Sequence, residues 1–295
     1  MTKMAKQGSF SLKYGGEIMI LTRFLGVALG VLGCVLVQAG GVLADAPPVA
    51  YVELKYQLVR QGLDKDFVQK TFADSRNSFL PDVVRKIAYL KKETRDIYRQ
   101  FLTPQVAAQG RAYLKEHQPT LRRAEARYGV APEVIVAILT VESGLGSNTG
   151  KYSVFNVFAS LSVMDSPEII RELDLPARLK DRLRKKAAWA RKELQVYLEY
   201  CQRRRLDPFS YKGSWAGAMG YCQFLPSSLK SSGADGDGDG RIDLFTHDDA
   251  IFSIACYLNK SGFQQRNRST WRRAVLRYNH SDAYADCVLA LASWY

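Results

Sequence analysis

The pattern of apolar and polar positions along the chain has mainly a helical period. Residues 54–72 and 82–90 carry apolar side chains at three- and four-residue spacing with basic residues on the opposite face, so both are predicted to form amphipathic helices. Helical character also marks residues 177–205, 248–258, 271–276 and 281–294, the first of these as one or two helices. Strand signals are few and short. The fold class predicted is mainly α.

Proline and glycine divide the middle of the chain into helices. Residues 104–128 are mostly helical in pattern, with Thr103 as N-cap and Pro104 at the first helical position. Pro119 should kink or divide this stretch, because its ring excludes a helical hydrogen bond. Gly129 is expected to end it.

The next predicted helix carries the first candidate for chemistry. It begins at Pro132, is stopped by two glycines, and places Glu142 on the same face as Ile135, Ile138 and Leu139. A carboxyl group at the end of a buried stripe is desolvated, which favours its protonated form and suits a general acid. The competing interpretation is a glutamate that only pairs with a base or caps a neighbouring loop.

Residues 213–228, GSWAGAMGYCQFLPSS, combine glycines with aromatic and polar side chains. The glycines allow close approach, the aromatic rings offer flat apolar faces, and Ser214 and Gln223 add hydrogen-bonding groups. Sugars are bound by that mixture. Tight helix packing at small residues is the alternative, and it explains the glycines alone.

An Asp/Gly loop follows the calcium-loop pattern. Asp235, Asp237 and Asp239 stand at positions 1, 3 and 5, with glycine at position 6 and Arg241 placed to offer its backbone carbonyl. Thr246 occupies position 12, where a regular loop has Glu, so a calcium site of modest affinity is predicted. A sodium site, an empty site or a solvated turn are the alternatives.

The formal charge of +13 over 295 residues indicates a polyanionic environment. Nucleic acid, an anionic membrane surface and a carboxylate-rich wall all satisfy it. The basic residues 180–192 are interpreted as a solvated helix face, because no motif that reads a nucleic-acid groove accompanies them. No nucleic-acid partner is predicted.

The N-terminal 44 residues have the layout of a signal peptide: basic residues, an apolar run over residues 24–37 and a small-residue pattern ending at Ala44. Met19 is a candidate start. The periplasm is the expected location. A second interpretation treats the sequence around Cys34 as a lipobox, which would make the protein an outer-membrane lipoprotein.

Four cysteines follow residue 44, namely Cys201, Cys222, Cys256 and Cys287. An oxidising compartment permits two disulfides in any of three pairings, and four buried thiols are an equal alternative. No CxxC pair is present to indicate zinc.

Three ordered segments carry a family resemblance: VAPEVIVAILTVESGLGSNTGKYSVFNVFASLS around Glu142, then residues 213–228, then RYNHSDAY from Arg277. Together they resemble the membrane-bound lytic murein transglycosylase B family, glycoside hydrolase family 103, over about residues 101–294. The resemblance implies a lysozyme-like catalytic domain over residues 129–295. Residues 45–128 would form an additional helical lobe packed on it.

The resemblance also implies roles for individual residues. Glu142 would be the single catalytic acid/base, and substrate contacts would come from Ser214, Tyr221, Gln223, Tyr278 and Asn279. Ser281 belongs to the same motif, but it is interpreted mainly as a helix cap, while Asn279 fits an ordinary turn equally well and Tyr278 fits the core. The last carboxylate of the calcium loop would be Asp249. This sequence departs from the family at Cys222, where glycine is usual, and in the length of residues 177–205.

The activity implied is that of a monomeric lytic transglycosylase. It would cleave the β-1,4 bond between N-acetylmuramic acid and N-acetylglucosamine in peptidoglycan glycan strands and leave 1,6-anhydromuramoyl ends. Calcium would be structural, and catalysis would need no cofactor. The rival hypotheses are a hydrolytic muramidase and a non-catalytic, calcium-dependent wall-binding protein.

Overall fold

The computed structural model describes residues 48–295, which form thirteen α-helices and one two-stranded antiparallel sheet. The helices are α1 (Ala50–Arg60), α2 (Lys65–Ala73), α3 (Pro81–Ala88), α4 (Pro104–Glu116), α5 (Gln118–Tyr128), α6 (Pro132–Ser143), α7 (Val154–Ser162), α8 (Pro167–Glu172), α9 (Lys180–Arg204), α10 (Pro226–Ser232), α11 (His247–Lys260), α12 (Arg268–Tyr278) and α13 (Asp282–Trp294). Strands β1 (Tyr152–Ser153) and β2 (Lys212–Gly213) pair, and short 3-10 helices cover Arg95–Phe101 and Ala177–Leu179. The mainly α prediction is confirmed.

The signal peptide and Cys34 predictions lie outside the described residues. Within residues 48–295, no helix has the length and apolarity needed to cross a bilayer.

Several predicted helix boundaries follow from side-chain and backbone chemistry. The Thr103 hydroxyl accepts a hydrogen bond from the Val106 amide at 3.2 Å and caps α4. The stretch containing Pro119 divides at His117, which ends α4 and precedes α5. Gly129 ends α5 with φ +65°, a left-handed conformation that favours glycine. These predictions are confirmed.

The prediction of one helix over residues 54–72 is wrong. The chain leaves α1 at Gln61, and Gly62 adopts φ +99°. The Asp64 carboxylate then accepts a hydrogen bond from the Phe67 amide at 2.8 Å and starts α2. A glycine followed by an N-cap residue therefore interrupts the apolar periodicity. Residues 180–204, by contrast, form the single helix α9.

Helix α7 has no counterpart among the predicted helices. Each of its nine residues is buried, so it lacks the polar face that reveals an amphipathic helix. It packs against α9 and α3, while α6 packs against α13, α4, α11 and α5. These contacts place α6 inside the molecule, with packing on several sides of the helix.

The buried apolar side chains form a continuous core from Tyr51 in α1 to Leu291 in α13. The domain boundary between residues 128 and 129 coincides with the turn at Gly129 and stays a prediction. All four cysteines of the described chain are buried free thiols, which supports the second of the two cysteine hypotheses.

Candidate active site

Glu142 lies in the last turn of α6, and its side chain is fully buried, with 0% exposure. Its Oε1 accepts a hydrogen bond of 2.6 Å from the hydroxyl of Tyr284 in α13. Gly144 ends the helix with φ +56°, so the chain turns away directly after the carboxyl group. The expected placement of Glu142 at the end of a buried helix face is confirmed.

A helix cap determines where Tyr284 lies. Ser281 is the N-cap of α13, and its hydroxyl accepts a hydrogen bond from the Tyr284 amide at 3.3 Å. The cap fixes the first turn of α13, and α13 packs against α6, so the Tyr284 ring points at Glu142. The interpretation of Ser281 as a cap is confirmed. Burial, and then the charge of Glu142, raises the pKa of Tyr284 well above its ordinary range, so its hydroxyl remains a neutral donor.

A second tyrosine, Tyr98, lies between Tyr284 and another carboxyl group, that of Glu93. The Tyr98 ring packs edge-on against Tyr284 with centroids 6.0 Å apart, and its hydroxyl donates a 2.5 Å hydrogen bond to Glu93 Oε2. Burial raises the pKa of Tyr98, with further contributions from the charges of Glu93 and Glu142. Two tyrosines, Tyr98 and Tyr284, therefore connect Glu93 to Glu142.

Residues 213–228, called the glycine-rich segment below, are joined to the end of α6. The hydroxyl of Ser143 donates a 2.7 Å hydrogen bond to the carbonyl of Tyr221. A Cβ built on Gly146 would lie 3.2 Å from the Tyr221 ring, which shows how closely the two pack. The pairing of Tyr152 with Gly213 holds the start of the segment. The glycine-rich segment therefore lies beside Glu142, as the sugar-cleft interpretation requires.

The predicted sugar contacts in this segment differ in their present roles. Ser214 is 8% exposed, and its hydroxyl accepts hydrogen bonds from the Ala216 and Ala218 amides at 3.3 and 3.2 Å. Gln223 is 5% exposed, has φ +49°, and its Nε2 donates to the carbonyls of Gly220 (2.8 Å) and Thr149 (3.2 Å). Both side chains thus shape the segment. Tyr221 is only partly buried and is the most accessible of the three.

Tyr278 and Asn279 lie at the end of α12 with different surroundings. Tyr278 is buried, and its hydroxyl donates a 2.5 Å hydrogen bond to the carbonyl of Cys222. This hydrogen bond anchors the glycine-rich segment to the end of α12. The thiol of Cys222 has a raised pKa because of burial, and the charge of Glu142 contributes to it. Asn279 is 2% exposed and lines a cavity.

That cavity, called the basic cavity below, has a volume of about 620 Å³. It lies between the segment after α3, the middle of α9 and the turn from α12 to α13. Its lining residues are Lys91, Lys92, Glu93, Arg95, Lys186, Trp189, Asn279, His280, Ser281, Asp282 and Ala283. It therefore contains both Glu93 and the cap residue of the helix that carries Tyr284.

The predicted calcium loop brings three of its carboxylates together. Asp235, Asp237 and Asp239 each offer an oxygen, and these oxygens lie within 4.8 Å of one another. Asp249 is not part of this cluster. Its two oxygens accept hydrogen bonds from the amides of Gly236 (2.7 Å) and Asp243 (2.6 Å), so it ties the two ends of the loop together.

The remaining predicted ligand also takes part in the loop. The Arg241 amide donates a 2.7 Å hydrogen bond to Asp239 Oδ1, which orients that carboxylate. The clustered groups are hard oxygen donors, and that donor set fits calcium. Asp249 would have to exchange a backbone hydrogen bond in order to bind an ion.

Sequence reasoning did not identify Tyr284, Tyr98 or Glu93. Tyr284 stands within the RYNHSDAY segment, three residues after the predicted cap, and a first-turn aromatic residue at that position was the available signal. Tyr98 and Glu93 have no local signal, because only the packing of the Arg95–Phe101 helix against α13 brings them near Glu142.

Comparison with known proteins gives one family. The profile of the transglycosylase SLT domain family matches residues 49–275. Membrane-bound lytic murein transglycosylase B of Escherichia coli is 36% identical over 165 residues, which are 56% of this chain and 41% of that protein. The matched part therefore spans about two fifths of that relative.

Solved structures agree with this family. The Escherichia coli lytic transglycosylase SLT35 in complex with bulgecin A has a TM-score of 0.69 and 26% identity, covering 87% of this chain and 95% of the other. The same enzyme in complex with calcium gives the same TM-score, identity and coverage.

Proposed function

Since the chain belongs to the transglycosylase SLT domain family, we propose that it is a peptidoglycan lytic transglycosylase whose acid/base is Glu142. The single observation that carries the proposal is the buried Glu142 carboxyl, held by Tyr284 beside the glycine-rich segment. A general acid must begin protonated, and an enclosed carboxyl group held by a phenol donor is placed to pass its proton to a glycosidic oxygen.

The reaction proposed needs one protein carboxyl group. Protonated Glu142 donates its proton to the glycosidic oxygen between N-acetylmuramic acid and N-acetylglucosamine, and the C1–O bond breaks. The carboxylate then takes the proton of the muramoyl C6 hydroxyl, whose oxygen bonds to C1 and closes the 1,6-anhydro ring. The acid is thereby regenerated. The nucleophile is part of the substrate and is already close to C1, so the reaction needs no bound water as nucleophile.

Tyr284 orients the carboxyl for both proton transfers. It donates to Oε1, so the proposal assigns the exchanged proton to Oε2. The hydrogen bond also stabilises the carboxylate formed when the acid gives up its proton. Glu142 is fully buried. The proposal therefore requires that the side chains covering its carboxyl group move when the substrate binds, so that the glycosidic oxygen can reach the carboxyl.

A hydrolytic muramidase is the second candidate, and Glu93 is the observation that favours it. Hydrolases of the usual kind employ two carboxyl groups. Glu93 is the second carboxyl near this pocket, but its Oε2 accepts the Tyr98 hydroxyl and Tyr98 stands between it and Tyr284. Its place favours a role in the basic cavity rather than in holding a water against the scissile bond.

The products distinguish the two functions. Purified sacculi digested with the enzyme should yield muropeptides that carry the 1,6-anhydro group and are lighter by one water than hydrolytic products. Mass spectrometry measures this difference. Products with reducing ends would refute the transglycosylase and support the muramidase.

The proposal includes calcium as a structural ion. Asp235, Asp237 and Asp239, with the carbonyl of Arg241, would hold it, and Asp249 would close the loop behind them. When bound, the ion supplies positive charge that offsets the repulsion among the carboxylates. The substrate lies in the cell wall, which supports export to the periplasm. The lipid anchor at Cys34 and the monomeric state stay predictions.

A further inference from the structure

We infer that Glu93 is a positioning residue for the proposed reaction, because it holds the phenol of Tyr98 beside the tyrosine that hydrogen-bonds to Glu142. This role rests on the proposed function and adds to it a residue that acts without touching the substrate. The juxtaposition that carries it is a 2.5 Å hydrogen bond from the Tyr98 hydroxyl to Glu93 Oε2, together with the edge-on contact between the Tyr98 and Tyr284 rings.

The Glu93 carboxyl lies in the wall of the basic cavity and is hydrogen-bonded to Tyr98. Its other oxygen, Oε1, is buried and has no hydrogen-bond partner within residues 48–295. Buried polar atoms without a partner are rare in folded proteins, because they lose their hydrogen bonds to water and gain none in exchange. Glu93 is therefore held by its bond to Tyr98 rather than by a wider hydrogen-bond network.

The short helix that carries Tyr98 has other contacts that dock it. The Arg95–Phe101 helix packs against α13, and Arg95 forms an ion pair with Asp286 of α13 at 3.0 Å. Tyr98 itself is buried, with 3% exposure. These contacts hold the backbone and the ring of Tyr98 in the core. The hydrogen bond to Glu93 therefore determines where the phenol oxygen lies, rather than whether the helix packs.

Two contacts connect the Tyr98 phenol to the proton-transferring carboxyl. The ring planes of Tyr98 and Tyr284 stand at 77° with centroids 6.0 Å apart, so in a close-packed core a tilt of one ring displaces the other. The Ser281 hydroxyl interacts with the Tyr98 phenol, and it also accepts the hydrogen bond from the Tyr284 amide that caps α13. Since the Tyr284 hydroxyl donates to Glu142 Oε1, a misplaced Tyr98 would misorient that carboxyl.

The hydrogen bond between Tyr98 and Glu93 joins a neutral phenol to a carboxylate. Burial, and then the charge of Glu93, raises the pKa of Tyr98, so the phenol remains a neutral donor. Hydrogen bonds with one ionised partner are shorter and stronger than those between neutral groups. Without the carboxylate, the phenol hydroxyl would lose this acceptor and the ring would be free to tilt away from Tyr284.

A double-mutant cycle tests the role of Glu93. Glu93→Ala, Tyr98→Phe and the combined variant are compared with the wild type by kcat and KM for the 1,6-anhydro product formed from soluble glycan strands. If Glu93 acts through Tyr98, the two substitutions remove the same interaction, and their effects are not additive. Glu93→Gln is added because it retains an oxygen acceptor for the phenol.

The control variant removes another partly buried carboxyl group. Glu168→Ala serves this purpose, since Glu168 accepts hydrogen bonds from the Val49 and Ala50 amides at 3.1 and 3.0 Å and does not line the basic cavity. Melting temperatures are measured for all variants, so that a loss of folded protein is not mistaken for a loss of turnover.

Glu93→Ala should lose about 5- to 20-fold in kcat, within the range of couplings measured in hydrogen-bonded networks. KM should change much less, because Glu93 orients the acid and does not bind the glycan. Tyr98→Phe should show a similar loss, and the combined variant should lose no more than Tyr98→Phe. Glu93→Gln should recover most of the wild-type kcat, and Glu168→Ala should keep all of it.

Multiplied losses in the combined variant, wild-type kcat in Glu93→Ala, or the same loss in Glu168→Ala would overturn the positioning role. An equal loss in Glu93→Gln and Glu93→Ala would also overturn it, because the carboxyl group itself would then take part in the chemistry. Should Glu93→Ala not fold, a loss in Glu93→Gln as large as that in Tyr98→Phe is the contradicting result. Failure of the proposed function looks different, because the wild type would then form no 1,6-anhydro product.

Discussion

The hydrogen bond between Tyr284 and Glu142 joins two residues that are 142 positions apart in the sequence. The helical period alone placed Glu142 at the end of a buried face, because three apolar residues precede it at helical spacing. Its partner could not be found that way. The distance between the two side chains depends on how α13 packs against α6, and no local pattern contains that information.

The Tyr284→Phe variant tests the role of this hydrogen bond. Loss of the donor leaves the carboxyl less well oriented and its carboxylate less stable, and a hydrogen bond to a charged group is worth about 1.5–3 kcal/mol. We expect kcat to fall by about 10- to 100-fold, with KM changed much less. Steady-state kinetics on soluble glycan strands gives both values.

Tyr197→Phe is the matched control, because it also removes a buried hydroxyl, one that donates to the carbonyl of Pro208 at 2.7 Å. Both variants should lose similar stability, and only Tyr284→Phe should lose turnover. Wild-type kcat in Tyr284→Phe would contradict the assigned role.

Among the elements, the glycine-rich segment depends on backbone conformations that only glycine adopts easily. Gly220 has φ +69°, and a Cβ there would lie 2.3 Å from the carbonyl oxygen of Leu244. Gly129, at the end of α5, has a similar φ of +65° but nothing within 4 Å of its Cβ position. An alanine at Gly129 would therefore meet backbone strain alone, whereas an alanine at Gly220 would meet both backbone strain and a steric clash.

Gly220→Ala should destabilise the protein more than Gly129→Ala. The left-handed conformation costs an L-residue about 1–2 kcal/mol at either position, and the contact with Leu244 adds to this cost at Gly220 alone. Thermal unfolding and glycan turnover are the measurements. Gly220→Ala should also lose most of its activity, since the segment beside Glu142 must shift. Equal melting temperatures and equal activities in the two variants would refute this account.

In the Asp/Gly loop, ion binding and loop closure are assigned to different carboxylates, so substitutions can test the two roles separately. Asp237→Asn should leave the melting temperature in chelator unchanged and abolish its rise with calcium, which for the wild type corresponds to about 2.7 kcal/mol at a hundredfold excess over Kd. Asp249→Ala should lower stability in chelator by about 1–3 kcal/mol, because the buried amide of Gly236 and the partly buried hydrogen bond of the Asp243 amide lose their acceptor. Identical wild-type melting temperatures with calcium and with chelator would remove the calcium proposal.

Across the whole molecule, elements with local signals were predictable and those defined by packing were not. Thr103 and Gly129 mark helix ends through their own chemistry, and the structure confirms both. Helix α7 escaped because it is buried on every side and so has no polar face. The break between α1 and α2 was not predicted, because the apolar periodicity of the sequence continues across Gly62 although the helix ends there.

The site shows the same division. Glu142 and the glycine-rich segment were recognisable from sequence, and the hydrogen bond from Ser143 to Tyr221 joins them as expected. The basic cavity was not foreseen, since it assembles Lys91, Lys186 and Asn279 from three distant parts of the chain. The basic character of residues 180–192 was visible in the sequence, but only the three-dimensional structure shows that Lys186 and Trp189 of that stretch face a shared cavity.

The central claim is that Glu142 is the acid/base. The most direct test is the rate at which the Glu142→Gln variant releases soluble muropeptides from purified sacculi. The matched control is Glu133→Gln, which changes a glutamate in the first turn of the same helix. We predict that Glu142→Gln still binds sacculi but is slower than the wild type by about 100- to 10,000-fold, the usual contribution of a general acid/base. Glu133→Gln should release 1,6-anhydromuropeptides at the wild-type rate. Release by Glu142→Gln at the rate of Glu133→Gln would contradict the account.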